Sequence, residues 1–229
     1  MSLAKLYSVM ESGHPDDNLV KVVVPSQQFI WLWIPKNAGG SISRTLVQVH
    51  GGNAIACDLP LESLWKLNPE MRDFRIVGVK RNPFTRIVSC WLNRIADPKG
   101  FNPRHLRKYP NLRQGMSFPD FAEWLTTPEG RDRNADPHWQ SQYLQLERAT
   151  EVLAFEELPW AVSGLGIKPR ELSHRNQHGE AAETAGLDDR PLADWYDERA
   201  AQHIRQRYGA DFWRLGYDQN ADPASLTAS

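Results

Sequence analysis

The stretch Ile30-Trp31-Leu32-Trp33-Ile34-Pro35-Lys36-Asn37-Ala38-Gly39-Gly40-Ser41 limits the fold more than any other part of the chain. An apolar run of strand character ends in Pro-Lys, a short glycine-bearing loop follows, and an amphipathic segment comes next. Strand, loop and helix in that order aim backbone N–H groups and the positive end of a helix at one point, and such a point attracts an anion. Lys36 adds a full positive charge there. The same residues also read as an ordinary strand-to-helix turn with Lys36 solvated, because paired glycines punctuate many turns.

A second segment, residues 74–91, narrows the choice. Residues 76–79 are short and mostly β-branched, the pattern of a buried strand. Asn82-Pro83 is a helix start: a capping side chain, then proline where a missing N–H costs nothing. Ile87, Val88, Trp91, Leu92 and Ile95 then recur at helical spacing. Arg81 therefore stands at the carboxyl end of a strand, and Ser89 lies about two turns into the next helix. In open α/β sheets that edge is where ligands bind, so both side chains can reach one phosphate. The alternative is a surface arginine and a serine bonded to its own helix.

The remaining pattern is coarser. Residues 20–25 and 29–34 are expected to form a hairpin, and 41–50 a helix with Ile42, Leu46 and Val49 on one face. Helices are expected over 61–67, over 118–125 with Ser117 as cap, over 138–147, and over 192–208. A buried strand is expected over 152–155, irregular chain over 99–115 and 168–189, and fraying after Gln219. Strands alternating with helices imply a parallel sheet covered on both faces.

Composition allows one large core in 229 residues. No apolar run approaches the roughly 20 residues needed to span a bilayer. The first twenty residues mix charge, glycine and proline, unlike a signal peptide or anchor. Cys57 and Cys90 give no disulfide framework, so the default expectation is a cytoplasmic protein without membrane insertion. A net charge of −1 argues against a nucleic-acid partner. Oligomeric state is not legible.

Pro35-Lys36 through Ser41, followed by Arg81 and Ser89, resembles the two cofactor signatures of sulfotransferases, which use 3′-phosphoadenosine 5′-phosphosulfate (PAPS). The likeness is greatest to the carbohydrate sulfotransferases of Golgi type and their bacterial relatives. Asp136-Pro137-His138-Trp139, residues 152–158, and the segment 208–217 with its Asp211-Phe212 and Gly216-Tyr217 agree with that group. The match runs from about residue 28 to 217 and treats 1–229 as a single domain with peripheral ends, 1–19 and 220–229. What the resemblance implies for the fold is a three-layer α/β/α sandwich with a central parallel sheet, P-loop nucleotide-kinase-like. One departure is Gly40, where the family often carries Ser or Thr; backbone N–H groups would have to replace that hydroxyl.

The resemblance implies sulfuryl transfer to a hydroxyl, usually of a carbohydrate, with PAPS as donor and no metal. Lys36 would stabilise the leaving phosphate. Asn37, Ala38, Gly39, Gly40 and Ser41 would hold the 5′-phosphate, and Arg81 and Ser89 the 3′-phosphate. Arg175, in Ser173-His174-Arg175-Asn176, would add charge from a closing loop or else be solvated. His138 is the first candidate for general base, with a pKa range suited to the task; it would otherwise cap a helix or pack on Trp139. Glu156 and Glu123 are reserves, and His174 and His178 read as solvated. Lys99, Arg104, His105, Arg107, Lys108 and Arg113 fall in a stretch without acids, either a solvated face or a basic lip for an anionic acceptor. Trp124 and Trp139 could stack on a sugar or simply pack.

Two other classes fit these residues less well. A kinase would need Lys followed by Ser/Thr after the glycines and an aspartate for magnesium, whereas Lys36 precedes the glycines and the strand ends in Lys80-Arg81. A non-catalytic binder of a nucleotide or sulfated glycan has Gly40 as its only support.

Overall fold

The computed structural model describes residues 20–56, 60–102, 107–133, 135–172 and 192–226. The chain divides into two compact units, one of Met1–Lys80 with Leu146–His174, the other of Arg81–Gln145 with Arg175–Ser229.

The first unit holds a five-stranded sheet: β1 (Val20–Val24), β2 (Phe29–Trp31), β3 (Asn53–Ala56), β4 (Arg75–Lys80) and β5 (Glu151–Ala154), in the order β3-β1-β2-β4-β5. β2, β4 and β5 are parallel, with Ile30 opposite Ile76 and Gly78 opposite Val152. β1 runs antiparallel to both β2 and β3. The expectation of a parallel sheet is thus corrected to a mixed one. The cause is local: β1 and β2 are joined only by the 3₁₀ turn Pro25–Gln27 and Gln28, whose φ of 54° lies in the left-handed region. So short a link closes a hairpin and cannot make the crossover that parallel neighbours need. β3 was not anticipated, since Asn53-Ala54-Ile55-Ala56 carries little β-branched character.

Helix α1 (Gly39–Gln48) buries Ile42 and Leu46 in a core with Val22, Val24, Phe29, Trp31, Val77 and Val79. Val49, expected on that face, lies past the helix end and is exposed. Helix α2 (Leu61–Leu67) buries Leu61 and Leu64. Gly78, mid-strand in β4, leaves the space that Leu146 fills; an added Cβ would lie 2.4 Å from Leu146 Cδ2.

The second unit is helical among its described residues. Helix α3 (Pro83–Trp91) starts at Asn82, whose side chain accepts from the Phe84 N–H at 3.0 Å, as its sequence predicts. It runs on into a π-turn, Leu92–Ala96. Helix α4 (Phe118–Trp124) has its Ser117 cap in place. Helix α5 (Gln142–Gln145) is far shorter than the expected 138–147. Long-range bonds claim that backbone first: Arg86 takes the carbonyls of Pro137 and Gln140, and Asp132 takes the Ser141 N–H. Helix α6 (Glu198–Leu215) begins later than residue 192 because Asp197 caps it, and continues past Tyr208.

This unit's core is aromatic. Tyr109, Phe121, Trp124 and Trp139 meet mostly edge to face, with Trp91, Phe118 and Phe84 nearby. Trp124 and Trp139 are therefore packing residues, not sugar platforms. No helix among the described residues is long and apolar enough to cross a membrane.

Candidate functional site

In the first unit, the turn at residues 35–38 joins β2 to α1. Lys36 (φ 69°) and Ala38 (φ 57°) are left-handed, while Pro35 and Asn37 are not. Alternating handedness of this kind turns backbone N–H groups toward one side, the pattern of an anion nest. The Asn37 N–H is already donated to the Ile34 carbonyl at 3.3 Å, which leaves the N–H groups from Ala38 onward for a ligand. Each left-handed non-glycine residue costs roughly 1–2 kcal/mol, so the turn needs support. Asn37 is fully buried and its Nδ2 donates to the Val79 carbonyl at 2.6 Å, pinning the loop to the carboxyl end of β4. Ala38, at the N-cap position of α1, supplies no side-chain cap, and the first turn holds no acidic residue. That helix start is open to an external anion.

Neither glycine of this loop has a positive φ, and Gly39 contributes space. A Cβ on Gly39 would lie 2.8 Å from Trp33 Cδ1 and 3.1 Å from the Ile34 carbonyl oxygen. Gly40 and Ser41 follow in the first helical turn, both half-buried.

In the second unit, Arg81 directly follows the last residue of β4 in the chain and is 4% exposed. Its backbone is gripped by one side chain: the Arg81 N–H donates to Gln142 Oε1 at 2.9 Å, and Gln142 Nε2 donates to the Arg81 carbonyl at 2.8 Å. Arg81 Nε donates to Thr85 Oγ1 at 3.1 Å, which orients the guanidinium along the start of α3. Ser89 is fully buried, and its hydroxyl has no partner in the protein. It does not bond back to its own helix, so that alternative falls away. An orphaned hydroxyl within α3 and an arginine oriented just ahead of that helix are groups of the kind that hold a phosphate.

His138 lies in a fixed chain of three groups. Asp136 Oδ1 accepts from the His138 backbone N–H at 3.0 Å and meets the imidazole Nδ1 at 2.6 Å. Arg94 Nη2 approaches His138 Nε2 at 2.8 Å. A guanidinium can only donate, so Nε2 accepts and Nδ1 carries the proton. The loop around His138 is held by Arg86, a fully buried cation whose Nη1 and Nη2 donate to the Gln140 and Pro137 carbonyls at 3.0 and 3.2 Å. Asp211 accepts from the backbone N–H groups of Gln142 and Tyr143, both at 2.9 Å. Burial pushes its carboxyl above the usual range, and the N–H bonds and the Arg86 charge offset only part of this.

The other candidates are less placed. Glu123 is exposed and pairs with Arg199, and Glu156 is exposed. Lys99, Arg107, Lys108 and Arg113 are exposed, while Arg104, His105, His174, Arg175 and His178 lie outside the described residues. No group of three or more His, Cys, Asp or Glu suited to a metal occurs among the described residues. The side-chain role of Asn37 was not legible in the sequence, nor were the roles of Gln142, Arg86, Asp211 and Arg94. Only Asp211 left a trace, as part of the Asp-Phe motif near the end of the chain.

The model of the Sulfotransferase family matches residues 21–150, more than half of the 229-residue chain. That span contains the anion nest, Arg81, Ser89 and His138. No match is found among curated proteins or solved structures.

Proposed function

Because the chain belongs to the sulfotransferase family, we propose that it moves a sulfuryl group from PAPS to a hydroxyl of a carbohydrate acceptor in the cytoplasm. The observation that carries the donor is the nest at Lys36 and Ala38, which opens onto an uncapped helix. Bound PAPS would supply an activated sulfuryl group: its S–O bond to phosphate breaks as the acceptor oxygen bonds to sulfur. Lys36 then offsets the charge growing on the leaving phosphate, a preorganised interaction worth about 3 kcal/mol of barrier. The N–H groups of residues 38–41, with the Ser41 hydroxyl, hold the 5′-phosphate, and Asn37 keeps the loop in place through its bonds to the Ile34 and Val79 carbonyls. Arg81 and Ser89 hold the 3′-phosphate, and Arg175 adds charge there. His138 receives the acceptor's hydroxyl proton at Nε2, with Asp136 fixing the tautomer. In this reading the chain works as one domain of the three-layer, nucleotide-kinase-like type, close to the Golgi-type carbohydrate enzymes.

Thermal shift tests the donor. Adenosine 3′,5′-bisphosphate at a hundred times its Kd should add about 2.7 kcal/mol of stability, and ATP with magnesium far less. A larger shift with ATP would refute the donor assignment. Transfer from labelled PAPS to a glycan panel tests the acceptor; tight bisphosphate binding without any transfer would instead indicate a binding protein.

A further inference from the structure

The partner of His138 constrains which acceptors can react. Arg94 sits within the π-turn Leu92–Ala96, a widened turn of a kind that concentrates at functional sites. Its Nη2 donates to His138 Nε2 at 2.8 Å. Its Nη1 reaches the Gly100 carbonyl only at 3.4 Å, and its Nε is buried with no partner in the protein. The guanidinium is thus held chiefly by the imidazole whose lone pair it occupies. A base so masked cannot accept a proton. Arginine stays charged across the working pH range, so a change of its own protonation cannot unmask the histidine. A competing anion can, because a two-pronged bond to a carboxylate is stronger than one bond to a neutral imidazole.

Resting on His138 as the base, we infer that Arg94 determines specificity: it covers Nε2 until a carboxylate on the acceptor sugar draws the guanidinium away. A uronic acid acceptor frees the base that it then uses, and a neutral sugar meets it still covered. The surroundings agree in sign. Lys99, Arg107, Lys108 and Arg113 of the same unit are exposed, and residues 98–119 contain no acid that would repel such a sugar. The nearby Asp97 is buried and its Oδ1 accepts from the Lys99 N–H at 2.8 Å. On the far side of the ring Asp136 keeps Nδ1 protonated, so Nε2 remains the accepting nitrogen once released.

The test compares p-nitrophenyl β-D-glucuronide with p-nitrophenyl β-D-glucoside as acceptors. Wild type should favour the glucuronide in kcat by about tenfold or more, and Arg94→Gln should erase that preference by raising kcat for the glucoside. Equal kcat values in wild type, or an unchanged ratio in Arg94→Gln, would overturn the inference. A readout without turnover is the long-range ¹H–¹⁵N spectrum of the His138 imidazole in the full-length protein. Glucuronate should move the Nε2 resonance toward its position in Arg94→Gln, and glucose should not; no movement with glucuronate also overturns it. Failure of the underlying reading looks different: His138→Gln would keep full turnover, whatever the charge of the acceptor.

Discussion

Ser89 carries a hydroxyl that is enclosed and unbonded within the protein. Such a group costs about 1–3 kcal/mol. Ser89→Ala should therefore leave the unliganded Tm unchanged or raise it, yet shrink the increment that adenosine 3′,5′-bisphosphate adds. Equal increments in variant and wild type would place the 3′-phosphate elsewhere. Lys36→Ala should lower single-turnover transfer by about a hundredfold or more, while circular dichroism stays native, since alanine meets the same left-handed φ as lysine. Full activity would remove Lys36 from the mechanism. The places of Lys36, Arg81 and Ser89 relative to β2, β4, α1 and α3 were legible because short signatures fix them against neighbouring strand and helix starts. Arg86 and Gln142 were not, because their partners are backbone groups 54 and 61 residues away. No local pattern announces such a bond.

Between segments, Arg207 of α6 makes a two-pronged tie to Asp132. Nη2 meets Oδ1 at 2.7 Å and Nη1 meets Oδ2 at 3.2 Å, and the Ser141 N–H and hydroxyl add bonds at 2.7 and 2.8 Å. Burial pushes the Asp132 carboxyl up, but Arg207 and Ser141 more than offset this and hold it below the ordinary aspartate value. A depressed carboxylate stabilises the fold above its unfolded pKa and loses that contribution as pH falls through the folded one. Asp132→Asn should cost about 2 kcal/mol at pH 7, less than a fully buried pair because the Asp132 side chain is 26% exposed. Urea titrations should show the gap to wild type closing below about pH 4. A gap that stays constant into acid would mean that the charge is not what matters. The same geometry explains which boundaries could be read. Helix starts with a local cap, at Asn82 and Ser117, fell where the sequence put them. The stretch expected as one helix over 138–147 did not, because Asp132 and Arg86 take its backbone groups from outside.

For the molecule as a whole, alternation of strands and helices gave the α/β class, and the expected hairpin of residues 20–25 and 29–34 is present as β1 and β2. The sheet was nonetheless expected to be parallel, and the weakly marked β3, the other antiparallel neighbour of β1, was not foreseen. Nor did that alternation show that each unit has a core of its own, one aliphatic around β1, β2 and β4, the other crowded with rings. Tryptophan emission provides a check. Trp31, Trp91, Trp124 and Trp139 are at most 5% exposed, whereas Trp160 and Trp213 are 72% and 80% exposed. Iodide should quench a minor component of the emission, and Trp160→Phe with Trp213→Phe should remove most of it. Strong quenching in the double variant would contradict this packing. The outermost strands, β3 and β5, are described with four residues each. So brief a margin gives a second molecule few backbone groups on which to extend the sheet, and brief margins are a common guard against aggregation in concentrated solution.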